Sequence, residues 1–261
     1  MSLDLRATRS NLLPVLLHGG KNLLTPAQLP VGRRDRIFYT GIAVAVAVIL
    51  FAGFARTYYL KNFFGTPPLR PLLHFHGMLF TSWFVLLLSQ VTLVAAKRTD
   101  FHRRLGVVGA VIATLMVLVG PIVAIQSAKR GVQTPGLPPP LIFLVVPLFD
   151  ILVFAILVGA GFYFRRQSQT HKRLMLLGTI AILPPATSRL PFAFIRATGP
   201  LAFFGLADLV LLACMLYDVA SHRRLHPAYL WGGLLIVLSQ PLRLVLGGTG
   251  AWLAFAHWLT R

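Results

Sequence analysis

The chain contains no glutamate and only six acidic residues, all aspartate, in 261 positions. It has one cysteine, Cys214. Charged residues make up 12%, about half the share in a soluble domain. A single cysteine excludes an intrachain disulfide and a thiolate metal cluster within one chain. No phosphate-cradling glycine loop, zinc-protease motif or Ser-His-Asp set can be assembled, so the sequence leans away from an enzyme. No apolar run carries two histidines roughly 13 or 14 residues apart, the helical spacing that would stack two haems across a bilayer. A two-haem transmembrane cytochrome is therefore not expected.

Apolar residues are abundant: 56% of the chain, with a mean hydropathy of +0.75. They form continuous runs long enough to cross a bilayer, which takes about 20 helical residues. The expected fold is all-α: a polytopic membrane helical bundle of about seven transmembrane helices. The spans are 37–56, 71–96, 105–127, 140–164, 172–195, 200–221 and 227–247. Residues 1–36 read as a basic cytoplasmic tail and 37–261 as one transmembrane domain. After Gly247-Gly248 a short apolar tail with Trp252 and Trp258 is expected near the interface. Leu12 to Leu24 could lie along the membrane surface.

The net charge of +19 would suggest nucleic acid in a soluble protein. Here it reads as topology: no nucleic acid, but a lipid bilayer with anionic headgroups as the partner of the basic loops. With the N-terminus inside, the inner segments hold sixteen Lys and Arg and the outer segments seven. That bias places the chain in an inner (plasma) membrane, multi-pass, N-terminus cytoplasmic.

A repeat runs through the chain. Pro71 begins one span and His102 follows 31 residues later; Pro140 and His171 have the same separation. Both histidines open H-[RK]-R-L-x-x-x-G, ending at Gly109 and Gly178. This predicts duplicated helical hairpins with basic turns inside. A third tetrad, His222 to Leu225, lacks the glycine: Tyr229 stands there. Asp100, and Ser168 or Thr170, are the expected N-caps of the following spans.

The histidines carry the first functional reading. His102 and His171 occupy equivalent places at one inner depth. There they could act as axial ligands of a haem, haem b being the cofactor suggested, or as ligands of a metal. Arg103 and Arg173 could hold haem propionates, a quinone or an anionic substrate. The bland alternative is interfacial anchoring. His74 and His76 open the second span and cannot chelate one ion on a regular helix, because residues two apart point about 200° apart. One should face the bundle, the other the interface or lipid.

Polar residues at membrane depth carry the second reading. Asp150, Arg189, Asp208 and Arg243 lie within spans, where an ionisable group normally faces a partner or a water cavity. With His74 or His76 they could line an outer pocket for a small-molecule ligand, in a binding or transport protein, or could form a structural ion-pair network. A scaffold without chemistry is the third reading. Pro184-Pro185 within "LPPATSRLPF" predict an irregular, polar outer half of the fifth span.

The segment "FHRRLGVVGAVIATLMVLVG", followed by "THKRLMLLGTIAILPPATSRLPF", resembles the predicted-membrane family named domain of unknown function 2306. The residues that carry it are His74 or His76, then His102, Arg103, Leu105 and Gly106, then His171, Lys172, Arg173 and Met175, and Arg189. Leu174 stands where that family usually has Trp. The resemblance covers about residues 71–195 and implies hairpin architecture; it implies no activity. A looser similarity is to small His-bearing membrane proteins associated with haem and terminal-oxidase assembly.

Overall fold

The computed structural model describes residues 31–131 and 137–261. The stretch Leu12 to Leu24 and residues 132–136 lie outside them. Every regular element among the described residues is helical: α1 Val31–Phe54, α2 Pro71–Ala95, α3 Thr99–Lys129, α4 Pro140–Phe143, α5 Val145–Tyr163, α6 Ser168–Ala181, α7 Pro184–Thr187, α8 Ala193–Thr198, α9 Pro200–His222, α10 Pro227–Gly247 and α11 Gly250–Leu259. A π-helical turn, Ala55–Tyr59, continues α1.

Among the described residues, six helical segments are long and apolar enough to cross a membrane: Gly32–Tyr59, Pro71–Ala95, Thr99–Lys129, Pro140–Tyr163, Pro200–His222 and Pro227–Gly247. The protein is an all-α, multi-pass membrane bundle. Its helices leave large apolar side chains exposed. On α3 these include Val107, Val111, Leu118 and Ile122, spaced four or seven apart along one stripe. In water such faces would be untenable; against lipid tails they cost nothing.

The fifth expected span is the one that fails as a single helix. α6 stops after 14 residues, and α7 and α8 are single short turns. Pro184 and Pro185 have no N–H to continue the ladder of α6, so the chain restarts with Pro184 at the first position of α7. Pro147 acts similarly at the start of α5. It cannot donate to the carbonyl of Phe143, and the helix is interrupted at Leu144 between α4 and α5.

Several expected boundaries shift. α1 begins at Val31 rather than 37, so the last residues of the basic tail are already helical. α3 and α6 begin before the expected caps: Arg98 and Gln167 stand at the N-cap positions with no side-chain cap bond. Asp100 instead lies in the first turn of α3, where its charge still complements the helix dipole. The tail after Gly248 folds as α11. Trp252 is buried against the bundle and donates from Nε1 to the carbonyl of Leu141, 2.9 Å away. Trp258 is exposed.

The hairpins α2–α3 and α5–α6 are the closest-packed neighbours, and α5 also meets α3 and α10. Repeated glycines allow the close packing. A Cβ on Gly109 would lie 2.9 Å from Leu86 across the first hairpin, and one on Gly178 2.5 Å from Val158 across the second. Trp83 ties the hairpins together by donating to Thr179 Oγ1 at 3.1 Å. The helix ends sort into two groups. The starts of α1, α3, α6 and α10 and the ends of α2, α5 and α9 share one end of the bundle, called here the basic end.

Candidate functional site

At the basic end, the second tetrad reaches three different helices. His171 turns toward α3: its ring and that of His102 lie with centroids 6.2 Å apart and planes at 79°. Lys172 turns toward α1 and donates to Asp35 Oδ2 at 2.6 Å. Arg173 turns toward α9 and pairs with Asp218, both essentially buried. Consecutive helical side chains diverge by about 100°, which makes this division possible from three neighbouring residues.

The imidazole pair sits beside the end of α5. His171 Nδ1 lies 2.8 Å from the carbonyl oxygen of Gly161. When Nδ1 carries the proton it donates there and leaves Nε2 free to ligate. His102 Nδ1 is buried without a hydrogen-bond partner among the described residues, and so is Oε1 of Gln90 on α2. Arg103 is exposed, and its charge acts on His102. Arg173 is not free for a cofactor: its Nε and Nη2 go to Asp218 Oδ1, and Nη1 donates to both the carbonyl and Oε1 of Gln169.

The third tetrad joins a different group. His222 lies 3.3 Å from Asp218 Oδ1 and 3.7 Å from Asp35 Oδ1. Asp218 Oδ2 accepts the backbone N–H of His226 at 2.8 Å, and Tyr217 donates to Asp35 Oδ1 at 2.9 Å. Asp35, Asp218, His222 and His226 border a cleft of about 320 Å³. His226 caps α10, its Nδ1 accepting from the backbone N–H of Ala228. Burial, and next the charge of Arg173, hold the His226 pKa below its ordinary 6.5. Sequence reasoning passed over Asp35 and Asp218. The signal was their rarity: in a chain with six acids, each one retained beside basic residues has a partner to explain.

The residues assigned to an outer pocket divide into separate groups at the other end. Arg243 Nη1 donates to Asp150 Oδ1 at 2.5 Å and Nη2 to Ser239 at 2.8 Å, all three buried. Asp208 is held by Gln240 rather than by an arginine, Nε2 donating to Oδ1 at 2.8 Å. Arg189 is separate from both: it donates to the carbonyl of Pro185 at 2.6 Å and lies 4.9 Å over the ring of Phe54. His76 points inward, its ring 4.2 Å from Phe80, while His74 is exposed. Among the described residues, no group of three His, Cys, Asp or Glu converges as a metal site.

No family model, no curated protein and no solved structure matches the chain.

Proposed function

We propose that the protein is a haem-associated redox or assembly protein of a bacterial-type inner membrane, in which His102 and His171 would hold the haem iron at the cytoplasmic edge. The observation that carries the reading is their ring separation of 6.2 Å. Two imidazoles that shared one metal would have ring centres about 6 Å apart, from two metal–nitrogen bonds of about 2 Å plus each nitrogen's distance from its ring centre. The bond from His171 to the Gly161 carbonyl is the kind of support that orients a ligating imidazole. A bare ion would need more ligands than this pair supplies, whereas haem iron would arrive already ligated by its macrocycle. Arg103, exposed next to His102, would be the arginine left for a propionate, whereas Arg173 is spent on Asp218. When bound, the haem would supply one-electron chemistry.

A second reading rests on one observation. The unpartnered His102 Nδ1 beside the imidazole pair could donate to a quinone carbonyl instead.

The test is the oxidised and reduced absorption spectrum of detergent-purified protein, as isolated and after haemin titration. A Soret band is expected, lost in His102→Ala and in His171→Ala and kept in His76→Ala. A folded protein that stays colourless after titration overturns the haem reading. Quinone in its solvent extract would then favour the second.

A further inference from the structure

We infer that the cleft between α1, α6, α9 and α10 at the basic end is a binding site for a phosphate-bearing anion. This rests on polar valences that the haem proposal does not use. The carboxylates that border the cleft are already engaged. Asp218 accepts from Arg173 on one oxygen and from the His226 N–H on the other. Asp35 accepts from Lys172 and Tyr217.

What remains unspent on the cleft wall is donor capacity. Arg224 is exposed and has no partner among the described residues. The Oε1 of Gln169 accepts from Arg173, so its amide NH₂ is the free part. The Nδ1 of His226 accepts from Ala228, so in the neutral ring the proton is on Nε2, a further donor. With Asp35 offset by Lys172 and Asp218 by Arg173, Arg224 leaves the site positive. A cleft of about 320 Å³ lies at the small end of ligand sites. Its free groups suit an acceptor-rich anion, and guanidinium and imidazole N–H groups are strong donors to phosphate oxygens.

A phosphate group reaches such a site from two sources, an anionic lipid headgroup or a soluble phosphate ester. Purified full-length protein would be assayed in two arms. In one, inorganic phosphate and glycerol 3-phosphate are titrated in a neutral detergent and binding is read by calorimetry. In the other, phosphatidylcholine nanodiscs with and without phosphatidic acid are compared by native mass spectrometry for retained lipid.

Saturable binding in either arm is expected, and the arm identifies the source. Arg224→Gln is expected to weaken binding about tenfold, the loss of one charge-assisted hydrogen bond, and Gln169→Ala to weaken it less. Arg104→Gln, an exposed arginine at the same end but outside the cleft, should leave it unchanged. No saturable binding in both arms overturns the inference. So does an equal loss in Arg104→Gln and Arg224→Gln, which would mean diffuse surface charge.

Discussion

The guanidinium of Arg173 holds Asp218 from Nε and Nη2 across the gap between α6 and α9, with side chains 2% and 0% exposed. Removing one partner leaves a charge uncompensated in the interior. Arg173→Met is therefore expected to destabilise the protein by about 3–5 kcal/mol, while Arg173→Met with Asp218→Leu recovers part of the loss, the remainder being the acceptor that the His226 N–H loses. Thermal unfolding in detergent of the three proteins checks this. A double variant no better than the single would refute it.

Within the membrane-depth polar set, only one of the two aspartates is an ion-pair partner. Asp150→Asn strips the charge facing Arg243 and is expected to cost about 3 kcal/mol or more. Asp208→Asn keeps an oxygen that Gln240 can bond and is expected to stay within about 0.5 kcal/mol. Comparable losses in a denaturant-resistance assay would mean that Asp208 has an ionic role.

The repeated glycine of the second hairpin has no room for a methyl group. Gly178→Ala is expected to destabilise by about 1–3 kcal/mol through overpacking against Val158. Gly159, where a Cβ would meet nothing within 4 Å, makes the control. Gly159→Ala should stabilise α5 by about 0.5–1 kcal/mol, the helix-interior penalty of glycine. The opposite signs are read from melting temperatures.

His226 gives stability a pH dependence. Its folded pKa lies below 6.5, because burial and Arg173 disfavour the imidazolium. Protonation also removes the acceptor that caps α10. The unfolded chain therefore takes up the proton first. The stabilisation is complete above about 6.5 and is lost as the pH falls from there through the lower folded value. Unfolding measured across that window should weaken on acidification. The slope should be shallower in His226→Asn, which caps without titrating; an unchanged slope would count against the assignment.

Arg223 ends α9 in the left-handed region at φ 60°, a conformation costing a side-chain-bearing residue about 1 kcal/mol. Arg223→Gly should raise stability by a similar amount. A fall would show that the arginine makes a contact outweighing its strain.

Much of the architecture was legible before any coordinates. Apolar run length is a property of consecutive residues, and bilayer thickness converts it directly into spans. The proline pair at Pro184-Pro185 marked where the fifth span would break, because a missing N–H is a local defect. The 31-residue spacing from Pro71 to His102 and from Pro140 to His171 exposed the two hairpins. Boundaries near Arg98 and Gln167 were less legible, since headgroup-level residues fit equally well inside or outside a first turn.

Partner choice was not legible. Asp150, Asp208, Arg189 and Arg243 looked alike in the sequence: four charges at similar depth. Which of them meet depends on the rotation of each helix about its axis and on which helices are neighbours, and packing across the bundle sets both. That is why Arg243 met Asp150, Asp208 took Gln240 and Arg189 turned to Phe54. The same rotation sent three consecutive residues, His171, Lys172 and Arg173, to α3, α1 and α9. The sequence by itself determined a membrane bundle of repeated hairpins with basic turns at one end, because hydropathy and periodicity act along the chain. Only the tertiary structure decided that two of its histidines face each other while the third joins Asp35 and Asp218, because that depends on contacts between residues far apart in the chain.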